Sequence, residues 1–266
     1  MKNAFAALVA IAFAAVPFSA SLPSHASTPA AGDTARRVVV ELFTSEGCSS
    51  CPPADALLLK LQSTQPIPGT QVIAIEEHVD YWNHDGWIDP YSSSDWTLRQ
   101  QDYVVRFKDK EPYTPQMIVA GQTQVAGSES QVEEIIQRAA TQQRTSITLV
   151  PLDSSSPAER QFQVHVDKIV GNSEKDVPEV WLAVTETGLA SSVNAGENAG
   201  KDLRHASVLR SLHKIGVAKS SGDAAFEASP RVKFKSDWKP QNLQVVVFVQ
   251  EKKSMRILGA ASLSMS

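Results

Sequence analysis

The sequence predicts an α/β domain with the element order β-α-β-α-β-β-α, followed by a β-rich, sandwich-like C-terminal region. Three observations carry this reading. Arg37 to Thr44 is a continuous β-branched and apolar run, the pattern of a strand buried on both faces. Apolar runs and helical stripes then alternate up to about residue 144. Beyond residue 145 no long amphipathic helix is evident, and short β-rich runs lie between clusters of Gly, Pro, Ser and Asn.

Residues 1–26 stand apart from this pattern. Lys2, the apolar run Ala4 to Val16 and the small-residue exit Ser24-His25-Ala26 form a secretory signal. A membrane anchor needs about 20 apolar residues, whereas this run is shorter and Pro17 interrupts it. No cysteine lies near the cleavage region to carry a lipid, so a soluble periplasmic or secreted product is expected, without a membrane anchor after cleavage. Loss of Lys2 takes the net charge from −4 to −5, a modest acidity that argues against nucleic acid and anionic membrane as partners.

After the first strand, Pro52 and Pro53 suit an opening helical turn, with Leu57, Leu58 and Leu61 as its apolar stripe. Gln71 to Ile75 is a second strand. A polar and aromatic loop leads to a second helix, marked by Trp96, Tyr103, Val104 and Phe107. Pro115 to Ala120 and Thr123 to Ala126 are strands joined at Gly121-Gln122. Ser128 and Gln131 make a capping box for a third helix with Val132, Ile135, Ile136 and Ala139 on one face. This order is that of the thioredoxin fold, which places the domain at residues 36–144 and a β-rich domain at 145–266. In the latter, Ser146 to Pro151, Gln161 to Val166, Glu179 to Thr185, Arg231 to Phe234, Leu243 to Gln250 and Arg256 to Ser262 read as strands. Asp202 to Leu212 fits a helix or a strand, and the strand is preferred.

The chemistry concentrates at the end of the first strand, where Cys48-Ser49-Ser50-Cys51 holds the only two cysteines. With 42% hydrophobic residues the chain needs no staple to build a core, and closing so short a loop removes little unfolded-state entropy. A thiol pair at a strand-to-helix junction is a redox device or a metal device. At a helix start, unpaired N–H groups and the helix dipole favour a thiolate, which makes Cys48 the nucleophile and the more buried Cys51 the resolving thiol. The Ser49 and Ser50 hydroxyls would add to this, and the Glu46 charge would oppose it. Pro115, opening the third strand after Tyr113-Thr114, is read as a cis proline lying against the thiols, with Thr114 and Tyr113 pairing with a partner chain. An ordinary trans proline at a strand start is the alternative. Glu41 is a candidate for proton transfer to Cys51, although its offset is one residue longer than in thioredoxins; a half-exposed strand carboxylate is the other reading. Trp82, Trp87 and Tyr113 are read as an apolar rim for a protein substrate. His78 and His84 lie in a loop rich in carboxylates, but no pair has a recognised ligand spacing, so no metal and no cofactor is assigned. Arg204, His205 and Arg210 either face the thiols or form a solvated strand face.

The segment Val40-Glu41-Leu42-Phe43-Thr44-Ser45-Glu46-Gly47-Cys48-Ser49-Ser50-Cys51-Pro52-Pro53-Ala54-Asp55 resembles an exported thioredoxin-like family, domain of unknown function 1223. So do His78-Val79-Asp80-Tyr81-Trp82, Gly86-Trp87, Asp89-Pro90, Arg99-Gln100, Tyr113-Thr114-Pro115-Gln116 and Glu197-Asn198-Ala199-Gly200. The resemblance implies a thioredoxin-like domain with a dithiol and a C-terminal extension, and it supplies no reaction. Asn83-His84-Asp85 departs from the aspartate, aromatic and leucine of that family, which makes His84 particular to this chain. The expected activity is thiol–disulfide exchange with protein thiols or disulfides. A metal-delivery module using Cys48, Cys51 and His78, or a binding module on a thioredoxin scaffold, are the competing classes.

Overall fold

The computed structural model describes Met1 and residues 36–265 apart from 154, 155, 157, 221 and 223. Beyond Met1, the secretory signal read at 1–26 lies outside the described residues. The described residues from Arg36 onward form a single compact unit. Its elements are β1 (Arg36–Thr44), α1 (Pro52–Thr64), β2 (Thr70–His78), α2 (Ser94–Phe107), β3 (Gln116–Val119), β4 (Thr123–Val125) and α3 (Glu129–Thr141). There follow β5 (Ile147–Leu152), β6 (Glu159–Asp167), β7 (Pro178–Thr187), β8 (Ala190–Ser192), β9 (Asp202–Arg204) and β10 (Ser207–Val217). The chain ends with β11 (Ala224–Ala228), β12 (Arg231–Lys233), β13 (Leu243–Glu251) and β14 (Ile257–Ser264). The mixed α/β class and the β-rich second half agree with the sequence; Asp202 to Leu212, read as one strand, is extended but divided at His205 and Ala206 between β9 and β10. The capping box at Ser128 and Gln131 is formed as expected.

The expected division at residue 145 is not a division of the structure. Four strands from beyond it join those before it in one eight-stranded sheet of order β14-β13-β7-β10-β2-β1-β3-β4. The join is β10 beside β2, parallel, with Val208 opposite Glu76. Strand β2, predicted to end at Ile75, runs three residues further into Glu76, Glu77 and His78. The reason is physical: buried partners accept those charges, which composition alone cannot reveal.

Strand alternation assigns the two faces. On one, Val38, Val40, Leu42, Val72, Ala74 and Met117 meet Leu58 and Leu61 of α1 and Val132 and Ile136 of α3. Further along that face, the second sheet (β11-β6-β12, with β5 on β6) stacks Phe162, Val164 and Val166 on Val180, Leu182, Val184, Val245 and Val247. The sandwich therefore exists, but one of its layers is the shared sheet. The opposite face curls. Val39, Ile73 and Ile75 share a core with Ala183, Val246, Phe248, Ile257 and Ala260, and Trp96 of α2 plugs it. At the closure, Ile257 N–H donates to the Ala120 carbonyl at 3.0 Å and Thr145 N–H to that of Leu258 at 2.8 Å.

Gly121 makes this closure possible. It has φ +66°, and a Cβ there would lie 1.9 Å from the Met255 carbonyl oxygen. Gly69 has φ +67° with open space around it, so Gly69→Ala measures the backbone preference alone, about 1 kcal/mol. Gly121→Ala is expected to cost about 2 kcal/mol more in urea unfolding, because the clash is with backbone. Equal losses at the two positions would show that the two edges do not meet there.

Candidate functional site

Ser45 to Cys51 folds as two tight turns, with Cys48 N–H bonded to the Ser45 carbonyl at 3.1 Å and Cys51 N–H to that of Cys48 at 3.2 Å. Cys48 and Cys51 are joined as a disulfide with Cα atoms 5.4 Å apart. Cys51 caps α1. The free amides expected at this helix start are largely missing: Pro52 and Pro53 have no N–H, and those of Ala54 and Asp55 bond the Cys51 carbonyl. The remaining local donor to Cys48 is Ser50, whose Oγ lies 3.3 Å from its Sγ. Both cysteines are fully buried, so the expected contrast between an open Cys48 and a hidden Cys51 does not hold in this oxidised form.

The segment between β8 and β9 is bonded across this loop. Asn198 donates through Nδ2 to the carbonyls of Glu46 and Cys48, at 2.8 and 2.9 Å. Glu197 accepts from the Ser49 N–H at 2.9 Å, and the Ser49 hydroxyl together with that amide holds its exposed carboxyl below the usual range. Gly47 packs so tightly that a Cβ would meet the Trp82 carbonyl oxygen at 2.7 Å. The Glu197-Asn198-Ala199-Gly200 segment, 150 residues from Cys48 at Asn198, is thus a strap across the loop that carries Cys48.

The Thr114–Pro115 peptide is cis. Beside it a cleft of about 420 Å³ runs from Ser50 along Pro53, Leu57, Tyr113 and Pro115 to Val132. Of the three aromatics expected on a rim, Tyr113 lines this cleft. Trp82 instead buttresses it, donating from Nε1 to Thr114 Oγ1 at 2.7 Å. Trp87 turns inward, donating to Glu46 Oε2 at 3.0 Å.

Glu41 is not near the thiols. It points from β1 into the curled face, away from α1, where it pairs with Arg99 and accepts from the Tyr103 hydroxyl. Successive strand residues face opposite ways, so the one-residue offset noted in the sequence put it on the wrong side. A buried acid close to the thiol loop in sequence is Asp55, one helical turn after Cys51, accepting from the Thr44 hydroxyl at 2.6 Å. Burial pushes its carboxyl up to about 7, and the Glu76 charge adds to that rise. The i, i+4 spacing from Cys51 was a signal that could have found it.

Behind the thiol loop lies a buried chain of charge. His205 reaches Glu46 through Nε2 and Glu76 through Nδ1, each at 2.9 Å. His78 Nδ1 is 2.7 Å from Asp89 Oδ2, which also accepts from the Glu46 N–H at 2.8 Å. Burial alone would raise Glu76, yet the imidazoles of His205 and His78 hold it at about 2. Burial would lower His205, but its bonds to Glu46 and Glu76 raise it to about 9. Burial opposes the charge on His78 as well, and Asp89 raises it well above the ordinary imidazole range. Glu46 is therefore engaged by His205 and Trp87, not aimed at the sulfurs. His205 belongs to the site, whereas Arg204 is exposed and Arg210 pairs with Glu186 and Asp237. His84 is half-exposed, beside Asp85 and Trp82.

The chain belongs to the family described as protein of unknown function DUF1223, whose model matches residues 39–250. A structural-genomics protein of Agrobacterium tumefaciens has a similar structure, with a TM-score of 0.62 and 23% identity over 89% of this chain and 97% of its own. HBP35 of Porphyromonas gingivalis matches with a TM-score of 0.62 and 17% identity, over 88% of this chain and 76% of its own. At these identities the likeness concerns the fold. Nothing matches among curated proteins. No helix among the described residues is long and apolar enough to cross a membrane.

Two outcomes are expected. Asp55 has a folded value near 7 against an ordinary value of 3.8, so the folded state binds the extra proton and stability falls as pH rises through that window. The slope is about 1.4 kcal/mol per pH unit for a full proton. Asp55→Asn should therefore gain stability over the parent between pH 4 and 8 in chemical unfolding; a pH-independent difference would contradict the assignment. Asn198→Ala gives up two hydrogen bonds, about 1 kcal/mol each, and is expected to speed reduction by dithiothreitol about tenfold or more. An unchanged rate would mean that the strap does not guard the disulfide.

Proposed function

We propose that the protein is an exported thioredoxin-like thiol–disulfide oxidoreductase, periplasmic or secreted, acting on protein thiols or disulfides. The observation that carries this reading is the Cys48–Cys51 disulfide at the start of α1, beside the cis Thr114–Pro115 peptide and its apolar cleft. The local sheet order β2-β1-β3-β4 supports a thioredoxin-like domain at 36–144, with β2 parallel to β1 and β3 antiparallel to it. The export reading rests on the signal at 1–26.

In the reduced chain, Cys48 thiolate attacks a partner disulfide, and the bond's electron pair leaves with the partner's second sulfur. Cys51, deprotonated, then attacks Cys48 Sγ and expels the first partner sulfur as a thiolate. The partner is reduced by two electrons and the chain is left as the disulfide; the reverse sequence oxidises a partner dithiol. Asp55, one helical turn after Cys51 and bonded by the Thr44 hydroxyl, is the group assigned to take the Cys51 proton, while Thr114 and Tyr113 offer backbone and ring to the partner chain.

Cys51→Ser removes the resolving sulfur. Expressed in a host with an exported compartment, it should accumulate mixed disulfides through Cys48 that dithiothreitol releases. If none form while Cys48 still reacts with an alkylating reagent, the exchange reading fails. If reduced wild type instead binds zinc or copper through its thiols, it gives way to the metal-delivery reading.

A further inference from the structure

Glu76 and His78 stand two apart on β2, so both project from the same face at the strand's C-terminal end. His205 is set over them by the Ala206 N–H, which donates to Glu76 Oε2. That bond occupies one carboxylate oxygen and leaves the other, Oε1, facing both imidazoles: His205 Nδ1 at 2.9 Å and His78 Nε2 at 3.3 Å. One donor atom from each of the three residues lies within 4.8 Å of the other two. All three residues are fully or almost fully buried, at 0% (Glu76, His78) and 1% exposed (His205).

We propose that Glu76, His78 and His205 bind a divalent transition-metal ion, through Glu76 Oε1, His78 Nε2 and His205 Nδ1. The site uses no thiol and does not depend on the exchange chemistry of Cys48 and Cys51.

Two features separate this group from an ordinary buried ion network. His78 Nε2 is a buried nitrogen without a hydrogen-bond partner of normal geometry, and it is aimed at the centre of the three residues. A buried polar atom left in that state is costly unless something fills the space before it. Each imidazole is also fixed from behind by a carboxylate: Asp89 on His78 Nδ1 and Glu46 on His205 Nε2. Such outer bonds set the tautomer and orientation of metal-bound histidines and raise their basicity. Two imidazoles with one carboxylate suit zinc, iron or cobalt in the divalent state, and calcium or magnesium poorly. The Tyr91 ring closes the group, 5.4 Å from the His78 ring and 5.3 Å from that of His205.

The test uses the full chain with Cys48→Ser and Cys51→Ser, so that no sulfur can act as a ligand, and Co2+ and Zn2+ as probes. Stoichiometric Co2+ binding is expected, with visible d–d absorption, no thiolate-to-cobalt charge-transfer band, and displacement by Zn2+. In the same background His205→Gln should abolish it, and Asp89→Asn, which changes the group behind His78 and none of the three ligands, should weaken it about 10- to 100-fold. Absence of the cobalt bands overturns the proposal, as does binding that survives His205→Gln unchanged. Binding that appears only in the wild type with reduced thiols also overturns it. Should His205→Gln fail to fold, Glu76→Gln and the thermal shift given by Zn2+ decide the matter: the parent must be stabilised and the variant not. Failure here leaves the mixed-disulfide experiment untouched, since that one reads Cys48 alone.

Discussion

Strand β2 lies inside the sheet, between β1 and β10, and its last three residues are Glu76, Glu77 and His78. Alternation sends Glu76 and His78 to one face and Glu77 to the other, and all three are fully buried. Ionisable groups in such a place must be paired or neutralised, and much of the molecule's layout follows from that requirement. On the α1 face the partners are His205, Asp89 and the Ala206 N–H, drawn from loops far apart in sequence. On the curled face α2 supplies Arg99, which pairs with Glu41 and lies 3.4 Å from Glu77. One guanidinium faces two carboxylates there, and burial raises Glu77 well above the ordinary range.

The same requirement binds the second half of the chain to the first. β10 touches β2 at one bridge, Val208 opposite Glu76, and the segment just before β10 carries His205. The C-terminal strands thus complete the charge pairing of the N-terminal ones as well as extending their sheet. Gln250 on β13 does likewise on the other face, accepting from Arg99 and donating to the Tyr103 hydroxyl.

Local features were legible in the sequence: the β-branched run of β1, the Pro-opened α1, the capping box of α3 and the thiol pair between strand and helix. Each depends on residues a few positions apart. What escaped depends on distant pairing. Nothing near Glu76 announces that β2 continues through it, because its stabilising partner is 129 residues away. Glu41 was placed at the thiols by counting along the chain, and the face it takes removed it. His205 lay in a segment of ambiguous period, and Asn198 was a residue of resemblance without a role until its two carbonyl contacts were seen. Strands β8 and β11, three and five residues long, have too little pattern to detect.

The strap across the disulfide changes what a rate constant would mean for this protein. Both sulfurs are out of reach of solvent; if Asn198→Ala speeds reduction as expected, a thiol reagent has to wait for Asn198 to let go of the Glu46 and Cys48 carbonyls. At high reagent concentration the observed rate then levels off at the frequency of that release and no longer reports the strength of the reductant. Selectivity among reductants would then be a matter of gating, set by a loop with no sulfur chemistry of its own.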